Sequence, residues 1–413
     1  MNEGRPSVLQ PHCCMQDQAA GRDAGLAAPA ETDRAIPRNM ASGLEIIRFL
    51  SAVAVVNYHF TCLAAREPIW PTGLRAAMGV APDFGELAPI FWFGWVGVEI
   101  FFVVSGIVIT YSAWGTDARG FLRSRILRLA PALWFFATLT LLVTFLYSPL
   151  GAKEIGVLYI KSILLTPIGP WLDGVYWTLV VEAAFYALIW MFLYANRVAR
   201  LREFTHLWAS ITTLLAVATL VGHLAGGPEY LIKIRESYWG RILLLTTGPY
   251  FILGMALYFV MRDGPRKDHL ALLAASFIAS EIHIYIFADG HAGTRGMPGG
   301  PLVPCAVFAL AVACAALSLV MSGGRQKKGC GRRLRILRVL GMATYPLYLL
   351  HGITGAWVLG RMLEAGVNRF LSLGLAVVLC IGASLAFAGY LEGRLRRAVG
   401  ACYDTLVQRH ARA

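Results

Sequence analysis

Charged side chains are scarce in this sequence: Asp, Glu, Lys and Arg make up 15% of its 413 residues, while hydrophobic residues make up 57%. An ordinary soluble domain is about 25% charged, so the shortage excludes water as the main solvent of the fold. Acidic residues are scarcest, 24 against 37 Lys and Arg, and the net charge is +13. A nucleic-acid binder gathers such an excess on a solvated folded face. Here the basic residues sit in short loops between apolar runs, a pattern that reads as membrane orientation and excludes a nucleic-acid partner. The cysteines, Cys13, Cys14, Cys62, Cys305, Cys314, Cys330, Cys380 and Cys402, show neither metal-ligand spacing nor a disulfide framework, so no metal site is expected. Residues 1–42 lack the apolar segment of a signal peptide. They are polar and rich in Ala, Arg, Asp and Pro, and read as a disordered cytosolic extension, with Met40 as an alternative start.

What the chain does have is a series of long apolar windows. Roughly 20 mainly apolar residues are needed to cross a hydrocarbon core about 30 Å thick. Such windows fall near 43–64, 89–112, 126–148, 174–195, 206–225, 241–261, 269–288, 302–322, 337–360 and 369–391. In lipid each must be helical, because a helix pairs its backbone groups internally. The expected fold is all-α, a polytopic transmembrane helical bundle of about ten spans, with a membrane domain over 43–391 and a cytosolic tail over 392–413. Alternate connections differ sharply in basic residues. One set holds Arg119, Arg123, Arg125 and Arg128; Arg197, Arg200 and Arg202; Arg262, Arg266 and Lys267; and seven more between Arg325 and Arg338. The opposite set holds one to three each, so both termini are expected on the cytosolic side of a cell membrane.

Ionisable residues inside spans are costly, about 2.5–3.5 kcal/mol for an Arg at a helix centre on insertion scales, and call for a reason. Arg48 and His59 lie in GLEIIRFLSAVAVVNYHF with ten residues between them. Eleven steps of about 100° return to within about 20° of the start, so the two share one helix face about 16 Å apart. They are read as lining one passage, with the imidazole as a general base. The alternative is that Arg48 snorkels to headgroups and His59 sits at the outer interface. Glu99, in GWVGVEIFFVVSG, is either catalytic or a structural partner for a buried cation such as Arg48. Glu182, in VYWTLVVEAAFYAL with Tyr186 one turn on, has no cation nearby in sequence and must find its partner on another helix or face water. GMATYPLYLLHG sets Tyr345, Tyr348 and His351 in a drifting polar stripe, a spacing that equally suits packing. In FLRSRILRLAP, Arg123, Arg125 and Arg128 suit the phosphates of a nucleotide-like cofactor, because guanidinium forks match phosphate geometry; positive-inside charge is the plainer reading.

In this order the segments resemble the acyltransferase 3 family of membrane acyltransferases over about 350 residues. The resemblance rests on the Arg48 and His59 pair, on GVEIFFVVSG, on Arg125 to Pro131, on YWTLVVEAAFY and on LGMATYPLYLLHG. Three positions depart from the family pattern: Glu99 stands where Asp is common, Thr178 where Ser is usual, and YLEGRLRR lacks a proline after its glutamate. The family O-acylates lipopolysaccharide O-antigens, exopolysaccharides, peptidoglycan, nodulation factors and some macrolides. The resemblance therefore implies an acyl-CoA donor, acetyl-CoA above all, used as co-substrate with no permanently bound cofactor. It implies a carbohydrate or glycolipid acceptor and a multi-pass protein of the inner or plasma membrane. It carries catalysis to His59, as base or as acyl carrier, with Arg48 and Glu182; support to Glu99, Tyr186, Tyr345, Tyr348 and His351, with buried donors such as Tyr348 expected to stabilise the oxyanion; and donor binding to Arg123, Arg125 and Arg128. Many relatives add an extracytoplasmic hydrolase-like domain; this chain, ending 22 residues after residue 391, is expected to act alone or with a separate protein. Two rivals remain: a macrolide-type O-acyltransferase of the same family, and a proton-coupled secondary transporter. Against the transporter, the Arg48 and His59 pattern does not recur in residues 206–391, so no internal repeat is visible.

Overall fold

The computed structural model describes residues 38–66, 71–80, 83–225, 237–290, 297–322 and 331–412, and among these the chain is helical with no strand. The helices in chain order are α1 (Arg38–Tyr58), α2 (Gly97–Ala113), α3 (Ala118–Tyr147), α4 (Ala152–Ile163), α5 (Trp177–Tyr194) and α6 (Leu201–Leu224). They continue as α7 (Gly248–Asp263), α8 (Lys267–Gly290), α9 (Leu302–Ser322), α10 (Gly331–Leu350), α11 (Ile353–Glu364), α12 (Arg369–Ala386) and α13 (Glu392–Arg412). Most of the expected extension, residues 1–37, lies outside the described residues; from Arg38 the chain is already helical, earlier than expected.

Among the described residues, eight helical segments are long and apolar enough to cross a membrane: those built on α1, α2, α3, α5, α6, α8, α9 and α12. Their outward faces carry bare aliphatic side chains. Leu214 and Val320 are 71% and 76% exposed, which only a hydrocarbon surrounding makes favourable for so many such groups. The protein is a multi-pass membrane protein.

Two of the ten expected spans take another form. The window 241–261 divides, because Pro249 fixes a helix start and α7 runs only from Gly248 to Asp263. Its length of about 24 Å falls short of the hydrocarbon core. It is instead sheathed by other helices, with every residue from Gly248 to Phe259 buried. It fits there because Gly106 of α2 and Gly254 face each other's backbones: a Cβ on either would strike a carbonyl oxygen, Phe251 O or Val103 O. The window 337–360 breaks after His351. Gly352 has non-helical backbone angles (φ −57°, ψ −119°), and Asp173 Oδ2 accepts the Ile353 N–H at 2.8 Å, starting α11 as a new helix.

Local chemistry sets the remaining ends that matter. Asp117 accepts from Gly120 N at 3.0 Å and caps α3 at its arginine-bearing end. Asn368 caps α12 through Phe370 N and Leu371 N. At the far end of α1 the helix widens into a π-turn, His59–Leu63, a distortion common where a side chain must be re-aimed. The tail forms the helix α13, which packs along α3.

Candidate active site

A pocket opens among α1, α2, α5 and α10. Its polar lining is Arg48, Ser105, Thr178, Glu182, Thr344, Tyr345 and Tyr348, so Arg48 and Glu182 meet here from helices far apart in sequence. Glu182 accepts from Ser105 Oγ at 2.9 Å and from Tyr186 OH at 2.6 Å. Two hydroxyl donors satisfy a carboxylate that sequence alone left without a partner.

The tyrosines expected as free donors are committed. Tyr345 OH donates to Leu129 O at 3.1 Å, and Tyr348 OH donates to Val175 O at 3.1 Å while accepting from Thr178 Oγ1 at 2.8 Å. Thr344 Oγ1 donates to Leu340 O at 3.1 Å. The hydroxyls on the wall are thus spent, which corrects the idea that Tyr348 stabilises an oxyanion. Arg48, by contrast, makes no hydrogen bond or ion pair among the described residues, and its donors face the cavity.

His59 is not on that wall. It stands on the π-turn beyond it and joins His351, Nδ1 to Nε2, at 2.8 Å, with ring centroids 4.8 Å apart. His351 is fully buried and His59 partly exposed. The His351 ring also packs on Tyr348 at 5.4 Å, so cavity wall and histidine pair are in contact. The hydrogen bonds assign the protons. His351 Nδ1 lies 3.2 Å from Leu347 O, and a carbonyl only accepts, so this nitrogen carries a hydrogen. With both rings neutral, His351 Nε2 is then an acceptor, and the proton of the 2.8 Å contact belongs to His59 Nδ1. His59 Nε2 is left with its lone pair, the form in which an imidazole takes a proton from a hydroxyl.

Asp173, which sequence reading passed over, fixes this arrangement. It is 1% exposed and accepts from Val175 N at 3.1 Å and Ile353 N at 2.8 Å, tying the entry of α5 to the break that follows His351. Its only signal in sequence was an Asp-Gly turn before YWTL. Ser105 was likewise unmarked, apart from its place in the quoted GVEIFFVVSG segment.

Glu99 does not pair with Arg48. Its charged neighbour is Arg241, whose guanidinium stacks 4.8 Å over Trp177, and Glu99 Oε2 is buried without a hydrogen bond. At the other end of the bundle the three arginines of α3 separate. Arg123 is bound to Asp404 of α13 through Nε and Nη2 at 2.8 and 2.7 Å, which removes it from the expected phosphate-binding set. Arg125 lies 5.6 Å over the Tyr186 ring and Arg128 lies 5.7 Å over Tyr345, both still open to a ligand.

A cation and a carboxylate share one intramembrane cavity, and a tautomer-fixed imidazole pair stands against its wall. That layout marks a candidate functional site within the membrane. Residues 42–391 match the model of the acyltransferase 3 family, described as an acyltransferase domain, and the chain belongs to that family: it is an integral membrane acyltransferase. No curated protein and no solved structure matches the chain.

Proposed function

We propose that this acyltransferase moves an acyl group, acetyl in the first instance, from acyl-CoA at the cytosolic side of the cell membrane to a hydroxyl of a cell-surface or exported carbohydrate. The observation that carries the reading is the His59–His351 pair, whose 2.8 Å bond leaves His59 Nε2 unprotonated on a partly exposed ring. The thioester arm enters the cavity past Arg125 and Arg128. Arg48, with uncommitted N–H groups, holds the arm's carbonyl oxygens on the way. Arg48 lies about 16 Å along α1 from His59, so it steers the arm and does not act on the reacting carbon. Tyr348 lines the cavity and its ring packs on His351, so the acyl end is delivered on the side where the histidine pair stands.

The chemistry balances without a further reactant. His59 Nε2 takes the proton of the acceptor hydroxyl as its oxygen attacks the thioester carbon; the C–O bond forms and the C–S bond breaks. The departing thiolate takes that proton from His59, which returns to its starting form and leaves an ester and free coenzyme A.

The test is turnover of acetyl-CoA by purified protein in lipid vesicles with an oligosaccharide acceptor, read as free thiol and as acetylated glycan. His59→Ala is expected to lose about 100- to 10,000-fold in kcat, with abundance and insertion unchanged. Retained turnover in that variant would remove His59 from the mechanism. Transport of the acceptor without thiol release would instead establish the carrier reading.

A further inference from the structure

We infer that Arg396 of α13 completes, with Arg125 and Arg128, the site that grips the phosphates of the thioester donor; the inference rests on acyl-CoA being that donor. It begins with Pro131. Proline has no N–H, so in α3 the carbonyl four residues earlier, Leu127 O, loses its helical partner. Arg396 Nε supplies one at 2.9 Å. This bond pins a guanidinium from the far end of the chain against the turn that carries Arg125 and Arg128, and each of these two is a charged neighbour of Arg396.

The three groups have few claims on them. Arg125 makes one hydrogen bond among the described residues, Nε to Ser124 Oγ at 3.1 Å, and Arg128 makes none. Among the described residues, Arg396 keeps both terminal nitrogens unused, and Glu392, 3.7 Å from its Nε, is the one carboxylate paired with it. Asp404, the other acid on α13 near this point, is taken by Arg123. Three like charges held together with so little neutralisation fit an anion of several negative charges, and planar forks favour phosphate oxygens. The site also adjoins the cavity: Tyr186 and Tyr345, under Arg125 and Arg128, touch Glu182 and line the cavity wall respectively. A diphosphate held here would leave its thioester arm aimed inward. Helix α13 thus exchanges one arginine for another: Asp404 withdraws Arg123, and Arg396 takes its place.

The experiment compares two donors, acetyl-CoA and S-acetylpantetheine, which has the same thioester arm and no phosphate. Arg396→Gln is expected to raise KM for acetyl-CoA about tenfold and leave S-acetylpantetheine unchanged. Arg396→Lys, which keeps the charge and a donor for Leu127 O, is expected to show a smaller rise with acetyl-CoA and none with S-acetylpantetheine, and it carries the test if the Gln variant does not fold. Arg394→Gln and Arg397→Gln, at exposed positions on the same helix, should change neither KM. An unchanged KM for acetyl-CoA, or equal losses with both donors, would overturn the inference. So would an Arg396→Gln effect confined to vesicles of anionic lipid and absent in phosphatidylcholine, since that would mark a lipid headgroup as the phosphate bound. Wild-type protein that used neither thioester would remove the donor assignment itself.

Discussion

Replacing His351 tests the assignment of protons at the histidine pair. His351→Ala removes the acceptor of the 2.8 Å bond from His59 Nδ1. A hydrogen bond of this kind contributes about 0.5–1.5 kcal/mol net, which alone is about two- to thirteenfold in rate. The freed ring also rotates and populates the wrong tautomer, and misplacement of a catalytic group by about 1 Å costs up to about a hundredfold. Together they predict a fall in kcat of about 10- to 100-fold. KM for acyl-CoA should stay within about twofold, because His351 is not among the neighbours of Arg125, Arg128 or Arg396. Because His351 is 0% exposed, the alanine also leaves a cavity, with a stability cost of about 2–5 kcal/mol by analogy with other buried truncations. His351→Gln separates the two effects: it refills most of the volume and offers a carbonyl oxygen near the place of Nε2, so most of the lost kcat should return. The assay is thiol release at saturating acceptor, with melting followed on the same samples. A kcat unchanged in His351→Ala, or equal impairment in folded Ala and Gln variants, would refute the reasoning.

Two further outcomes follow from single contacts. Arg123→Gln should leave KM for acyl-CoA within about twofold and barely alter the melting temperature, because its bond to Asp404 is a half-exposed surface pair; a large rise in KM would return Arg123 to the donor site. Gly352→Ala should lower stability by about 1–3 kcal/mol, since the new Cβ collides with Asp173 Oδ2, already held by Ile353 N. An unaltered melting temperature would show that the Asp173 carboxylate moves freely, and that the break after His351 does not depend on it.

How much of this was legible beforehand varies from residue to residue. Arg48 and Glu182 stood out because an ionised group in an apolar run demands a partner or a cavity, and they share one. His351 stood out only as part of a stripe that packing explains equally well. Its role depends on His59, 292 residues away, and no periodicity reaches across that separation. The reading of Arg123 failed for the same reason. In FLRSRILRLAP the three arginines look alike, and Asp404, which distinguishes them, lies 281 residues further on. The window 337–360 was read as one span because Gly352 is compatible with a helix until the Asp173 carboxylate arrives to cap the next one.

Sequence by itself determined the solvent and the secondary structure. The balance of apolar to charged residues is a property of composition, and a helix in lipid satisfies its backbone within its own segment, so neither needed to know what lay beside it. Tertiary structure decided which groups are spent and which are available. The proton positions at His59, the withdrawal of Arg123 and the arrival of Arg396 each turn on a contact of about 3 Å between segments far apart in the chain. Only packing brings such segments to that distance.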